Sequence, residues 1–219
     1  LTPAALSEVL GLLGWFSFSQ KAVKTKQSAL LTLVEKQCKL HPSVQINENN
    51  AGGVGPMFNS KGFVKESNIE LVREGLYSGA LTSARSSREY DVPTDGSNAG
   101  ETPESLELGA GELLEKDVLE QLGDGLYISN LWYMNFSDRQ SCRMTGMTRF
   151  ATFWVEGGKI AAPVNVMRFD ESLYRMLGEN LIGLTQEREH ILDAGTYQRR
   201  STSSINLPGA LVNGFRLTL

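Results

Sequence analysis

Histidine and cysteine are scarce: two of each in 219 residues. Cys38 and Cys142 are too few for a disulfide framework, so a reducing compartment, the cytoplasm, is the default. His41 and His190 have no ligand-spaced neighbours, which gives no support to a His-based metal site. His41, just before Pro42, reads as a helix-end cap, and His190 as part of a charged helix surface. A strongly basic balance is also missing. The net charge is -4, which sets aside a nucleic-acid backbone as partner. No apolar run approaches the roughly 18 residues of a membrane-spanning helix. The longest, Leu6 to Phe18, is broken by Ser7, Glu8, two glycines and Ser17. There is no initiator Met, signal peptide or basic leader, so the chain is expected to be a fragment of a longer protein, its N-terminal domain missing. Phosphate loops, Gly-x-Ser-x-Gly elbows, His-Glu-x-x-His and Cys-x-x-Cys are all absent.

What is present is an ordinary globular mix, 41% hydrophobic and 21% charged, long enough to bury a substantial core. Thr2-Pro3 starts a helix, and Leu6, Val9, Leu10 and Leu13 share one face of it. A second helix is expected from Lys21 to Leu40, with Leu30, Leu33, Val34 and Cys38 buried, ended by His41-Pro42. Beyond it the period changes. Ile69 to Leu81 reads as a hairpin turning at Glu74-Gly75. Tyr90 to Pro103 reads as a long exposed loop. Glu112 to Leu122 and Glu171 to Leu177 read as short helices. Strands are expected at Ser105–Leu108, Leu126–Ile128, Phe150–Val155, Lys159–Ala161, Ala210–Val212 and Phe215–Leu217. The fold class is therefore α+β: two N-terminal helices over 1–41, then a large, mostly antiparallel, barrel-like sheet over 42–219 with short helical inserts.

One segment is chemically unusual. Asp138 to Arg149 carries Arg139, Arg143 and Arg149 among small polar residues. Arginine suits carboxylate recognition, so a groove gripping a peptide is one reading; a charged strand edge that blocks aggregation is the other. In an unbulged strand Arg139 and Arg143 share a face and Asp138 takes the opposite one. Gly146 would let a backbone approach closely. Cys142, between two arginines, has a neighbourhood that favours thiolate but no histidine near it in sequence. The candidate substrate-binding residues are Arg139, Cys142, Arg143 and Gly146. No catalytic or metal-binding residue is assigned. Trp15 and Phe16, beyond a helix end, are candidates for an interface or for core.

Several stretches, in order, resemble the C-terminal half of the TldD/PmbA peptidase family, also called modulator of DNA gyrase. Ile69 to Leu81 looks like the family's hairpin, Pro93 to Gly100 its T-G-N-A loop, and Pro103 to Gly111 its P-x-N-L-x-l-x-x-G. Gly125 to Ile128 matches d-G-l-y-v, Phe153 to Val164 resembles f-x-v-E-n-G-k-i-x-x-P-V, and Leu207 to Val212 resembles l-P-a-l-l-v. The resemblance spans 1–219. It implies a cytoplasmic metallopeptidase complex acting on unfolded or small peptides. Catalytic subunits of that family hold metal with His-Glu-x-x-x-His on a helix plus a Cys near the C-terminus. Here the corresponding helix contains Glu8 but no His, and Ala194 to Leu219 has no Cys. The chain therefore resembles the non-catalytic, TldE/PmbA-like subunit. The expected partner is a TldD-like catalytic subunit, or a second copy in a homodimer, with peptide as substrate. No cofactor is expected on this chain, and a divalent metal only on a catalytic partner. The alternatives are a stand-alone peptide-binding scaffold and a peptidase with a non-metal mechanism.

Overall fold

The computed structural model describes every residue except Gln198 and Leu219. Among the described residues there are five α-helices: α1 (Pro3–Leu13), α2 (Gln20–Lys24), α3 (Leu31–Val34), α4 (Ala84–Tyr90) and α5 (Val118–Leu122). The strands are β1 (Ile46–Glu48), β2 (Ile69–Arg73), β3 (Leu76–Tyr77), β4 (Ser105–Leu108), β5 (Gly125–Asp138) and β6 (Arg143–Glu156). After them come β7 (Lys159–Pro163), β8 (Arg168–Ser172), β9 (Leu181–Leu192), β10 (Ser204–Val212) and β11 (Leu217–Thr218). The α+β class holds. The strands form two open sheets rather than a closed barrel. The chain divides into two compact units. One comprises Leu1–Leu12, Gly109–Glu189 and Leu207–Leu219; the other comprises Leu13–Leu108 and His190–Asn206.

In the first unit α1 forms as its sequence requires. Thr2 caps it, its hydroxyl accepting from the Ala5 N–H at 3.2 Å, and Pro3 opens it. Leu6, Val9 and Leu10 are buried along one face, each contributing about 1.5–3 kcal/mol. The sheet of this unit runs β11-β8-β6-β5, with β7 also on β6. The expected helix over Glu112 to Leu122 is shorter, a 3-10 turn at Glu115–Asp117 followed by α5. Glu171 to Leu177 is not an α-helix: β8 runs to Ser172 and one π-helical turn follows at Arg175–Glu179.

In the second unit β1, β2, β3 and β4 pair antiparallel, and Ser204 to Asn206 of β10 add parallel to β4. The β2–β3 hairpin has the expected two-residue turn. Glu74 and Gly75 both have positive φ, 49° and 73°, the mirror-image turn that matches strand twist. A Cβ at Gly75 would lie 2.3 Å from the Leu40 carbonyl oxygen, so only glycine fits. The expected helix from Lys21 to Leu40 breaks into α2 and α3. Ser28 explains the break: its hydroxyl donates to the Ser17 carbonyl at 2.6 Å and accepts from the Leu30 N–H at 3.0 Å. These local bonds replace helical ones, and Lys26 turns left-handed at φ 57°. Leu30 and Leu33 are buried as expected, while Cys38 is only half-buried.

The segment from Tyr90 to Pro103 is not simply exposed. Asp95, Ser97 and Glu101 within it are buried. Glu101 accepts from the Ser19 hydroxyl (2.6 Å), the Lys21 N–H (3.0 Å), and the Ser83 hydroxyl (2.8 Å) and N–H (2.9 Å). Ser19 and Ser83 are the N-caps of α2 and α4, so one carboxylate holds two helix starts. Burial alone would raise its pKa; the hydrogen bonds outweigh burial and hold it below the ordinary value. A depressed folded pKa gives stability that is present above the unfolded value and lost as pH falls. Glu101→Ala strands buried donors and is expected to cost on the order of 3 kcal/mol. Urea denaturation at neutral pH measures this, and a loss below about 1 kcal/mol would show the staple to be dispensable.

Candidate functional site

The segment with the unusual arginines lies on a long hairpin of the first unit. Strands β5 and β6 have 14 residues each and pair from Gly125↔Val155 to Asp138↔Arg143. Asp138 organises the turn: its carboxylate accepts from the Ser141 hydroxyl at 2.6 Å and the Gln140 N–H at 3.0 Å. Those bonds lower its pKa. Cys142 closes the turn at φ 47°.

The four sequence-predicted residues do not share a surface. Arg139 lies in the turn rather than in a strand, its guanidinium 5.4 Å from the Phe136 ring centroid. The turn therefore replaces the common strand face expected for Arg139 and Arg143. Arg143 is ion-paired with Asp170 of β8. Cys142 is buried, and its carbonyl accepts from the Leu173 N–H at 3.0 Å. Gly146 is interior too. A Cβ there would lie 2.8 Å from the Met134 sulfur and 2.9 Å from the Phe169 ring, so the missing side chain admits Phe169 rather than a peptide.

Sequence reasoning noted Arg149 but missed its surroundings. Three irregularities interrupt the β5–β6 ladder, one beside the turn between Phe136 and Asp138 and two that are bulges along the strands, between Ile128 and Asn130 and between Trp132 and Asn135. The extra residues are Phe150 on β6 and Tyr133 on β5, at φ 59° and 57°. Large side chains rarely take that conformation, and such strain concentrates at functional positions. Phe150 and Tyr133 are more than two-thirds exposed, at 72% and 77%. The Arg149 guanidinium lies 3.9 Å from the Trp132 ring centroid and 4.7 Å from that of Phe150. The available signal was an Arg–Phe pair on one long strand facing a Trp-Tyr pair on its neighbour.

Helix α1 is where the resemblance would place metal ligands. Around Glu8 it reads Leu6-Ser7-Glu8-Val9-Leu10-Gly11-Leu12-Leu13, with no histidine. Ser7 donates its hydroxyl to the Ala4 carbonyl at 2.8 Å, and Leu12 is buried. Neither supplies a nitrogen, so these residues do not fit a metal. Among the described residues, no group of three or more His, Cys, Asp or Glu is placed to hold one.

The model of the PmbA/TldA metallopeptidase C-terminal domain matches residues 1–219. The chain belongs to this family. Its fold is similar to that of TldE from Thermococcus kodakarensis, with a TM-score of 0.80 at 11% identity, covering 100% of this chain and 49% of that one. A candidate modulator of a DNA gyrase from Thermotoga maritima aligns with a TM-score of 0.77 at 16% identity over 99% of this chain and 48% of that one. A third, from Bacteroides thetaiotaomicron, gives 0.72 at 15% identity over 99% and 45%. The chain thus spans about half the length of these relatives. No curated protein matches the sequence significantly.

Two further polar sites of this PmbA/TldA-type domain lie in its second unit. His190 falls on β9, not on a helix. It lines a small recess with Glu107, which accepts from the Asn49 and Asn206 amides, both at 3.2 Å. His41 caps a turn, its Nδ1 2.7 Å from the Ser43 hydroxyl oxygen. The other site is Glu48, buried at the end of β1. One of its carboxylate oxygens accepts from the Glu104 and Ser105 N–H groups at 2.8 and 2.9 Å. The other has no hydrogen-bond partner among the described residues. Lys65 nearby is ion-paired with Glu104. Burial pushes the Glu48 carboxyl up to about 7, aided by the Glu104 charge and opposed by the two N–H bonds and Lys65. A raised folded pKa gives stability that is full below the unfolded value and lost as pH rises toward 7. The expected loss is about 3 kcal/mol at most. Glu48→Gln should flatten this slope and gain at least about 1 kcal/mol at pH 8. Urea denaturation of both proteins at pH 5 and pH 8 checks it; parallel pH profiles would contradict the assignment.

Proposed function

We propose that this chain is the C-terminal part of a non-catalytic subunit in a cytoplasmic TldD/PmbA-type peptidase complex that processes unfolded or small peptides. One observation carries the reading. Helix α1, which the resemblance matches to the family's metal-binding helix, offers Glu8 but no histidine along its length. The motif's two imidazoles supply the metal's nitrogen ligands, and their absence removes the chemistry while leaving the fold.

A non-catalytic subunit acts through association. Trp15 and Phe16, 65% and 53% exposed just beyond α1, supply apolar surface for a partner. Among the described residues no helix is long and apolar enough to cross a membrane. The partner is a TldD-like subunit that supplies the divalent metal.

Purified full-length protein, dialysed and analysed for metal, should carry no stoichiometric zinc or iron and should not cleave peptides. Co-expressed with a metal-bearing TldD-like subunit, it should elute as a complex that does. Metal and hydrolysis in the protein alone would overturn the proposal, as would a strictly monomeric state with the partner present. Within the complex, Trp15→Ser combined with Phe16→Ser should weaken association at least tenfold with little change in melting temperature.

A further inference from the structure

Three arginines, Arg143 and Arg149 of β6 and Arg168 of β8, share one face of their sheet, and among the described residues two of them, Arg149 and Arg168, have no acidic partner. Met147 pairs in register with Trp132 of β5 and with Arg168 of β8, so these three make one row across three strands. Arg149 stands two residues farther along β6, on the same face. The next acid on this face, Asp170, is taken by Arg143. Among the described residues Arg149 and Arg168 have no ion pair, in a chain whose net charge is -4.

Arg149 is also held in place. With the ring centroids of Trp132 and Phe150 at 3.9 and 4.7 Å from its guanidinium carbon, two cation–π contacts restrain the guanidinium while its N–H donors stay in their own plane. A planar fork of donors, fixed in orientation and unpaired, matches the two oxygens of a carboxylate. Arg168, a diagonal cross-strand neighbour, lies within reach of the same anion. The two strained aromatic residues of this hairpin, Tyr133 and Phe150, flank this spot, so the bulges that cost backbone strain are the ones that expose the rings.

We propose that Arg149, supported by Arg168, binds the terminal carboxylate of a short peptide, and that Trp132 and Met147 receive the apolar side chain beside it. This rests on the reading that the complex handles peptides, and it assigns the recognition of the peptide's C-terminal end to this chain. It moves the carboxylate site away from Arg139 and Arg143, which the turn and Asp170 engage.

The test uses the full-length protein, alone and in complex with a TldD-like subunit, and a tripeptide, Gly-Ala-Leu, labelled with a fluorophore at its amino end. The free acid and the C-terminal amide are compared by fluorescence anisotropy at low salt. The acid should bind at least tenfold more tightly than the amide. Arg149→Gln should reduce the acid to the level of the amide, and Arg149→Lys should not restore it, because an ammonium cannot make the two-pronged contact. Arg168→Gln should weaken the acid about threefold, and Trp132→Ala should weaken acid and amide alike. Melting temperatures should stay within a few degrees, separating recognition from folding. Equal affinity for acid and amide would overturn the carboxylate site and leave peptide handling standing. No binding of either peptide, alone or in the complex, would overturn both. If Arg149→Gln disrupts the complex on gel filtration while leaving peptide affinity unchanged, the face is a subunit contact and the proposal fails.

Discussion

In the first unit everything in the sheet reaches the rest through β6. That strand pairs with β5 on one side and with β7 and β8 on the other, and among the described residues β11 pairs with β8 alone. A strand shared this way cannot shift register without moving its neighbours, since one residue of slip turns every side chain to the opposite face. Leu131, Met144 and Phe169 are buried on one face of this sheet, while Trp132, Arg149 and Arg168 lie on the other. The register is fixed where the core is tightest. Gly146 has no side chain because the Phe169 ring fills that place, and any residue with a Cβ would push the ring or the strand aside. The exposed face is thus set by packing on the hidden one.

The second unit depends on buried carboxylates that work in opposite senses. Glu101 is surrounded by donors, two of them N-cap serines, so its charge is favoured despite burial. Glu48 has two donors on one oxygen and none on the other, and burial prevails. Both are less than 5% exposed, but more hydrogen bonds reach the Glu101 anion, and Glu48 lies deeper below the surface. Acid therefore weakens the contribution of Glu101 and strengthens that of Glu48. The short helices α2 and α4, of 5 and 7 residues, are too short to hold themselves in water. The carboxylate between their caps accounts for their presence.

How much of this could be read from the chain depended on how local each cause was. Helix α1 and the Glu74-Gly75 hairpin were legible because period and turn chemistry lie within a few residues. Helix α4 was not. Its sequence, Ala-Arg-Ser-Ser-Arg-Glu-Tyr, buries only Ser86, so it has no apolar period, and its start is fixed by Glu101 from farther along the chain. The helix drawn from Lys21 to Leu40 failed because Ser28 bonds to the Ser17 carbonyl, a partner that pattern alone does not supply. The site divides in the same way. The arginine-rich segment stood out by composition. Which arginine is presented depends on bulges, and these come from the pairing of β5 with β6. Arg139 and Arg143 satisfied a strand argument that the hairpin turn then removed.

The arrangement around Arg149 also has a thermodynamic logic. An arginine side chain has about 2 kcal/mol of rotamer entropy to lose when it is ordered. An exposed arginine loses much of this on binding an anion, which is one reason surface ion pairs are worth only about 0–1 kcal/mol. Contact with aromatic rings gains about 0.5–1 kcal/mol at exposed sites and about 2 when desolvated, comparable to that cost. Arg149 touches two rings, so most of its ordering occurs on folding rather than on binding. Against this stand two strained residues, Tyr133 and Phe150, at roughly 1–3 kcal/mol each. The local free-energy balance is unfavourable unless packing elsewhere in the sheet imposes those conformations, and the register locked by Phe169 against Gly146 supplies that constraint. Strain held by the core and a cation ordered in advance are the physical conditions for a binding site, whereas an arginine that only protected a strand edge would require neither.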